Sequence, residues 1–318
     1  MPGSATSSFV DAEEYRAELS DIIAGPLVLT PGTFTASATR ITLRRFHLLQ
    51  ARESLPRVAF LSLPPERVFI SVSSDRARSL IWRGLTLEPG ELMLHVPGER
   101  LHQRIVGPCC WGFIALSLAS LAAACKTATG STRALPELGR ILRPSPGDRQ
   151  HLLRLHRAAA RLAENRPHLL RHPEVVHAME QELEGVLMTC LTNSEVRRES
   201  DASRRANEIM VRFEEVLAAH PYRKLRLAEV SRGFGVSDRM IYSFCVTFLG
   251  VSPQRYMRLR RLHLVRAAIL RADGQPVHVA ELAQHAGFTQ LGWFAGLYRA
   301  TFGETPSTTL RRARCARE

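Results

Sequence analysis

The pattern of hydrophobic and polar positions divides the chain into a strand-rich part and a helical part. Between residues 25 and 118, segments such as TFTASATRITLRRFHLL and ERVFISVS alternate apolar and polar residues, which is typical of half-buried strands. The segment that follows these two is interrupted by Pro–Gly pairs. Several short strands with turns between them predict a β-sandwich or a barrel-like N-terminal domain.

Helical periodicity begins near Leu116 and continues through most of the remaining chain. ALSLASLAAACKTATG predicts a helix that ends at Gly130, and two amphipathic helices follow within residues 148–192. The first of these two helices is expected to end at Arg166–Pro167. The two helices are expected either to pack on their own domain or to form a dimer seam.

The predicted fold class is α+β, with a β-rich N-terminal domain and an all-α C-terminal domain. The polar segment TNSEVRRESDAS lacks apolar periodicity and is therefore a candidate linker. The expected organisation is a β-rich domain at residues 1–147, a helical dimerisation or relay segment at 148–192, a linker at 193–203 and the all-α domain at 204–318.

An internal repeat in the last third of the chain carries the strongest functional signal. Its copies occupy residues 227–253 and 279–306 and begin 52 residues apart. Each copy predicts a helix, a tight turn at Gly235 or Gly287, and a second helix that a polar residue caps. One helix-turn-helix pattern is a weak signal, because any helical hairpin resembles it. Two in register are much stronger, and their second helices suit the major groove of DNA.

The connector between the copies, Pro253–Ala272, predicts one continuous helix. Twenty residues of helix span about 30 Å, close to the roughly 34 Å between successive major-groove faces of B-DNA. Its arginines lie largely away from its apolar side, where they either contact phosphates or form a solvated face. The candidate phosphate contacts are Arg255, Arg258 and Arg261, together with Arg299 from the second copy.

The distribution of charge points to a polyanionic partner for the repeat region. The 318-residue chain has a net charge of +13, and residues 204–318, with 19 basic and 9 acidic side chains, contribute +10 of it. A GC-rich genome explains why arginines outnumber lysines, but it does not explain this uneven placement. Such an excess is typical of a domain that binds nucleic acid.

Residues 207–312 resemble the DNA-binding domain of AraC/XylS-type transcriptional regulators. The second copy carries the signature of that family at Ala283, Gly287–Phe288, Phe294, Tyr298, Phe302–Gly303, Thr305–Pro306 and Arg311. Residues 291–312 particularly resemble the subgroup that includes the ethanolamine-operon regulator. The resemblance implies a sequence-specific transcription factor, more often an activator than a repressor. It also implies double-stranded promoter DNA and RNA polymerase as partners and an N-terminal domain that senses an unknown small-molecule effector. A homodimer is left open.

The resemblance places three base-reading candidates in the first copy, Arg239, Tyr242 and Ser243. Arg239 is able to donate a bidentate pair of hydrogen bonds to guanine. Tyr242 suits either a phosphate or a thymine methyl group, although packing on its own helix is the competing interpretation.

The second copy departs from the common pattern of the family. Its matching positions hold no polar side chain and are Leu291, Gly292, Ala295 and Gly296. Gln290 is therefore the base-reading candidate beside them. Each glycine inside a helix costs roughly 1 kcal/mol, so we expect a close approach of either the DNA backbone or a neighbouring helix there.

The N-terminal part offers little candidate chemistry. His95 and His102 flank Glu99, but no HxH pair is present, so we expect no metal site, no catalytic residue and no cofactor. Trp82 and Trp111 either fill the core or line a ligand pocket. An enzyme that carries a barrel-type metal site fused to a DNA-binding domain is therefore disfavoured. A non-specific architectural DNA-binding protein is the other alternative.

The compartment expected from the sequence is the cytoplasm. The longest apolar run, Gly112–Cys125, holds 14 residues, fewer than the roughly 20 that a membrane helix needs. The first residues lack the pattern of a signal peptide. Six cysteines without CxxC spacing are typical of a reduced protein, and no membrane partner is expected.

Overall fold

The computed structural model describes residues 2–73, 80–129, 138–271 and 278–315. Within these ranges the strands β1 to β13 are Gly3–Phe9, Val28–Leu29, Ala36–Thr42, Phe46–Glu53, Arg57–Ser62, Arg67–Ser73, Leu80–Trp82, Leu85–Thr86, Leu92–Leu94, Arg100–Ile105, Cys109–Ser117, Arg140–Arg143 and Glu195–Arg197. The helices α1 to α11 are Ala12–Glu18, Leu118–Thr129, Pro146–Asn165, Pro173–Thr192, Asp201–Ala219, Leu227–Phe234, Asp238–Leu249, Pro253–Leu270, Val279–His285, Leu291–Phe302 and Pro306–Cys315. The predicted α+β class is confirmed.

Two antiparallel sheets form the N-terminal domain. The larger has the strand order β1-β3-β4-β11-β6-β9-β12-β13, and the smaller has the order β2-β5-β10-β7-β8. Leu61 and Leu101 of the smaller sheet belong to one buried core together with Leu49 and Phe113 of the larger sheet. Because side chains alternate between the faces of a strand, every second residue of these strands enters this core. The predicted β-rich sandwich is therefore confirmed.

The helices of the middle segment pack on the same domain. Ile70 of the larger sheet shares a second core with Leu152 of α3 and Leu183 of α4. This arrangement agrees with the first of the two alternatives for these helices, and their role in dimerisation or relay stays a prediction. The expected break is confirmed, since α3 ends before Arg166 and a 3-10 helix begins at Pro167. The proposed end of α2 at Gly130 lies outside the described residues.

The segment expected to be a linker, residues 193–203, contains secondary structure. β13 pairs with β12 at the edge of the larger sheet, and α5 begins at Asp201. Ser200 caps α5, because its Oγ accepts a hydrogen bond from the backbone N–H of Ser203. Residues 195–197 thus form a strand inside the candidate linker, and the role of residues 193–203 as a linker stays a prediction. A short edge strand with exposed side chains shows no apolar alternation, so the sequence did not reveal it.

Each helix-turn-helix unit has its own core. α5, α6 and α7 surround a cluster that includes Ile241 and Phe248, and α9, α10 and α11 pack around Phe294 and Tyr298. The connector α8 contributes to both clusters. It has 18 residues, about 27 Å of helix, slightly less than the predicted 20. In copy two, as in copy one, the Ser/Thr–Pro pair also starts a helix, here α11 at Pro306.

Candidate DNA-binding surface

The turn and caps of the first unit are formed as the sequence predicts. Gly235 ends α6 in the left-handed region at φ 66°, and Gly250 ends α7 at φ 73°. A glycine reaches this conformation without the steric cost of a Cβ. Ser237 caps α7 by accepting a hydrogen bond of 3.2 Å from the N–H of Met240. These local signals fix where α7 starts and stops.

The outer face of α7 brings the predicted base readers together. Arg239, Tyr242 and Ser243 are all exposed, and Tyr242 is 50% exposed, so half of its surface is open to solvent and its role stays a prediction. Val246, 43% exposed, lies one turn beyond Tyr242 on this face, and sequence reasoning missed it. Its spacing of four residues from Tyr242 was the available signal. An exposed valine on such a face suits a thymine methyl group.

The corresponding face of α10 has no polar side chain at the positions that match the base-reading candidates of α7. Gln290 precedes the helix, is exposed and makes no side-chain cap, so the prediction that a polar side chain caps this helix is wrong. A Cβ placed on Gly292 or Gly296 would meet no heavy atom within 4 Å. The explanation that a neighbouring helix packs tightly against these glycines is therefore wrong. Close approach by DNA backbone stays a prediction.

Arg258 and Trp293 link the connector to the second unit. The Arg258 guanidinium lies 5.3 Å from the centre of the Trp293 ring, and the ring is 47% exposed. A cation–π contact of this kind holds the guanidinium in place at the surface. Arg258 therefore lies at the junction of the two units, where a phosphate between them would be within its reach.

The other phosphate candidates differ in their solvent exposure and in their hydrogen-bond partners. Arg255 and Arg299 are exposed. Arg261 instead donates a hydrogen bond of 2.9 Å to the carbonyl of Ala286, next to the turn at Gly287. Burial and the nearby positive charge of Arg258 lower the pKa of Arg261. The contact of each with phosphate stays a prediction.

A basic groove lies between the two units and extends the predicted surface. Its volume is about 400 Å³, and its lining contains no acidic residue. Besides Arg258, Arg261 and Gln290, it includes Arg223 and Lys224, two residues that sequence reasoning did not single out. A concentration of positive charge between the connector and the start of α10 is the expected footprint of a DNA backbone.

Glu214 of α5 joins the first unit to the N-terminal domain. Its carboxylate, only 3% exposed, accepts hydrogen bonds from Arg260 Nε at 2.7 Å and from Tyr256 Oη at 2.9 Å. His102 Nε2 of β10 lies 3.4 Å away. Burial alone would raise the pKa of Glu214, but the His102 hydrogen bond and the Arg260 charge lower it to about 2. The carboxylate is thus ionised and shared between domains.

The second half of α8 docks on the N-terminal domain through different groups. Arg266 Nη2 lies 2.8 Å from the Asp11 carboxylate, and Arg266 Nη1 lies 3.0 Å from Glu304. His263 Nε2 accepts a hydrogen bond of 3.2 Å from the backbone N–H of Leu29. Burial and the neighbouring Arg266 lower the pKa of His263 to about 3, so the ring is neutral.

The two histidines considered as metal ligands have separate partners. His95 Nδ1 lies 2.7 Å from Glu99 inside the N-terminal core, whereas His102 faces Glu214 of α5. Among the described residues there is no group of three or more His, Cys, Asp or Glu side chains able to hold a metal ion. Trp82 is fully buried in the N-terminal core, which favours the interpretation that it fills the core.

Comparisons with known proteins agree with this geometry. Residues 230–312 match the family described as "Helix-turn-helix domain". Over 95 residues the chain is 41% identical to the probable thc operon regulatory protein of Rhodococcus erythropolis, a match that covers 30% of this chain and 29% of that protein. Over 243 residues it is 29% identical to XylDLEGF operon transcriptional activator 3 of Pseudomonas putida, covering 73% of this chain and 69% of that protein. The first match thus spans less than a third of the relative's length.

Among solved structures, the AraC-like transcriptional activator CuxR is 15% identical, with a TM-score of 0.44 and coverage of 88% of this chain and 100% of that one. Among the helices described in the structure, none is long and apolar enough to cross a membrane.

Two helix-turn-helix units in a basic helical domain define the class of this C-terminal part as a candidate DNA-binding domain. Residues 230–312 match a helix-turn-helix domain, and the two related proteins are named as operon regulators.

Proposed function

We propose that the whole chain is a sequence-specific transcription factor that binds double-stranded promoter DNA and activates transcription. The observation that carries the proposal is the solvent-exposed face of α7, where Arg239, Tyr242 and Ser243 lie together. α7 would enter the major groove, and the groove between the units would follow the backbone. Activation is proposed because XylDLEGF operon transcriptional activator 3 is an activator by name.

The proposal extends to partners and compartment. The N-terminal domain would respond to a small-molecule effector, the DNA-bound chain would contact RNA polymerase, and two copies would form a homodimer in the cytoplasm. We also propose, from residues 291–312, that the chain is similar to the subgroup of the ethanolamine-operon regulator. An enzymatic role has no observation in its favour, since the related proteins are named as regulators.

Selection from a library of randomised duplexes by the full-length chain tests the function. We expect enriched sites with a defined box, because base-edge contacts carry sequence information whereas phosphate contacts do not. Equal retention of all sequences at fixed salt would instead establish the architectural alternative.

Arg258→Ala then tests the phosphate groove. The variant should weaken binding to the selected site and to unrelated duplexes alike, and it should lower the salt slope by about one unit. Arg52→Ala, on β4 of the N-terminal domain, is the matched control and should leave the slope unchanged. A loss confined to the selected site would remove the phosphate assignment.

A further inference from the structure

Three consecutive residues of the smaller sheet contact three different parts of the molecule. Trp82 ends β7 inside the N-terminal core, where its ring centre lies 5.2 Å from that of His95. Arg83 forms an ion pair with Glu199, just before α5. Gly84 lies against α7. The turn between β7 and β8 therefore joins the N-terminal core to the first helix-turn-helix unit at two points.

The contact between this turn and α7 leaves no space for a side chain. A Cβ added to Gly84 would lie 2.7, 2.8 and 3.1 Å from three ring carbons of Phe248. Phe248 is 3% exposed and belongs to the core of the first unit, so close packing prevents its ring from swinging away. The backbone of the turn therefore packs directly on α7.

The turn touches the side of α7 that faces away from the base-reading candidates. Phe248 lies nine residues beyond Arg239, about two and a half turns at 3.6 residues per turn, which places the two on opposite sides of the helix. Arg239 is exposed, whereas Phe248 is buried. The turn is thus able to hold α7 from behind while DNA contacts its outer face.

Arg83 holds the turn in a conformation that a residue with a side chain rarely adopts. Its φ is 51°, and among the described residues no other non-glycine residue has a positive φ. Gly84 follows at φ 74°, and positive φ at both residues is the geometry of two-residue hairpin loops of the I′ type. Such a backbone persists in a non-glycine residue only where neighbouring contacts enforce it. Here the contacts are ion pairs, since Nη1 of Arg83 lies 2.6 Å from Glu99 and Nη2 lies 2.9 Å from Glu199.

The two carboxylates that hold Arg83 belong to different parts of the chain. Glu99 lies in the N-terminal domain, where His95 Nδ1 is 2.7 Å from it. Burial would raise the pKa of Glu99, but His95 and Arg83 keep this pKa below its ordinary value, so the carboxylate is ionised. Glu199 precedes the cap of α5 and accepts a hydrogen bond of 2.9 Å from Ser203 Oγ in the first turn of that helix. Arg83, only 6% exposed, therefore fixes the start of the helical domain to the turn.

We propose that the Arg83–Gly84 turn is a positioning element for base reading, which fixes α7 and the start of α5 against the N-terminal domain before DNA binds. The inference rests on the proposed function, because it presupposes that α7 reads the major groove. With the turn in place, Arg239 and Tyr242 are presented in one orientation, and the complex forms without the loss of freedom that a loosely held unit would incur. Phosphate contacts carry no sequence information and depend much less on this orientation.

Gly84→Ala in the full-length chain tests the contact with α7. A duplex selected from the randomised library is the operator probe, and a scrambled duplex of equal length is the non-specific probe. Fluorescence anisotropy at fixed salt should show about fivefold weaker binding of the operator and less than about twofold change for the scrambled duplex. Gly98→Ala is the matched control, because Gly98 has a similar φ of 73° but its added Cβ would meet only Pro65, at 3.6 Å and beyond. It should change neither affinity.

A double-mutant comparison separates positioning from a loss of folding. Phe248→Leu shortens the side chain that the new methyl group meets, so in this background Gly84→Ala should weaken operator binding less than about twofold. Glu199→Gln removes the partner of Arg83 that precedes α5 and should weaken operator binding about threefold, with the scrambled duplex unchanged. Glu195→Gln, on the exposed strand β13, should have no effect. Circular dichroism of each variant verifies that its helices are intact.

Unchanged operator affinity in Gly84→Ala, or an equal loss in Gly98→Ala, would overturn the proposal. Tighter operator binding in Gly84→Ala would also overturn it, because the turn would then oppose base reading. If the unmodified chain selects no sequence from the library, the proposed function itself fails. If the unmodified chain selects an operator that Gly84→Ala binds equally well, only the positioning role fails.

Discussion

The two helix-turn-helix units share a sequence pattern but differ in what they offer to DNA and in how they are held. The first presents Arg239 and Tyr242 on α7 and docks through the buried carboxylate of Glu214. The second presents Gly292 on α10 and docks through Arg266, which has two carboxylate partners. Repetition of a fold therefore does not imply repetition of a role. We predict that one unit reads bases and that the other lets the DNA backbone approach.

The largest expected difference between the two units concerns how strongly each is held to the N-terminal domain. Glu214→Gln leaves Arg260 buried without a counter-charge and should lower the free energy of unfolding by about 3–5 kcal/mol. Asp11→Asn should cost only about 1–2 kcal/mol, because Arg266 keeps Glu304 as an acceptor. Urea denaturation of the full-length chain measures both. Equal losses in the two variants would contradict the distinction between the two docking sites.

Acid should loosen the second docking site before the first. The pKa of His263 is about 3 in the folded chain against an ordinary value of 6.5, so below pH 6.5 only the unfolded chain binds this proton. The contribution of His263 to stability is present above pH 6.5 and is lost as the pH falls towards 3. Between pH 6.5 and 5 the loss should reach about 2 kcal/mol. The pKa of Glu214 is about 2 in the folded chain against an ordinary value of 4.5. Its contribution to stability is therefore present above pH 4.5 and is lost only as the pH falls below 4.5.

Hydrogen exchange from pH 7 to pH 5 measures this order of events. The Leu29 amide, which donates to His263, should lose protection, while β10 beside Glu214 should keep it. His263→Gln should flatten the pH dependence at Leu29, and His156→Gln, at a buried histidine of the N-terminal domain, should not. Simultaneous loss of protection in β10 and β2 would show that the two docking sites are not independent.

Unequal base reading is the third expected difference. Arg239→Ala should cost about 1–3 kcal/mol of discrimination at one or two base pairs, through loss of a bidentate contact. Gln290→Ala should change the selected sequence much less. Sites selected from a random library by each variant provide the measurement. Two equally informative boxes one helical turn apart would contradict the unequal roles and leave the regulator assignment intact.

The smallest effect concerns the glycines of α10. Gly292→Ala and Gly296→Ala should each stabilise the free chain by roughly 0.5–1 kcal/mol, because the added methyl groups meet no neighbour. They should nevertheless weaken operator binding if the DNA backbone approaches there. Gly185→Ala, at an equally open site in α4, is the control and should stabilise without affecting DNA. Unchanged operator affinity in both α10 variants would remove the close approach.

The sequence predicted the candidate residues on the face of α7 better than the residues that surround this face. Arg239, Tyr242 and Ser243 were identified as candidates through the family resemblance, and helix periodicity places them on one face. Val246 lies on that face and was overlooked, although the same periodicity marks it. Arg223 and Lys224 were missed because they enter the groove from a loop, where no periodicity applies.

The sequence by itself determined the two helix-turn-helix units, the caps of α7 and the connector. These features are local: a left-handed glycine, a serine cap and an apolar stripe act within one or two helical turns. Only the tertiary structure decided that α3 and α4 cover the larger sheet, that β13 completes its edge, and that Glu214 joins the domains. Each of these depends on partners distant in the chain, such as Glu214 and His102, which are 112 positions apart. No local pattern encodes such a pairing, because burial and a low dielectric give it its strength only after the domains have met.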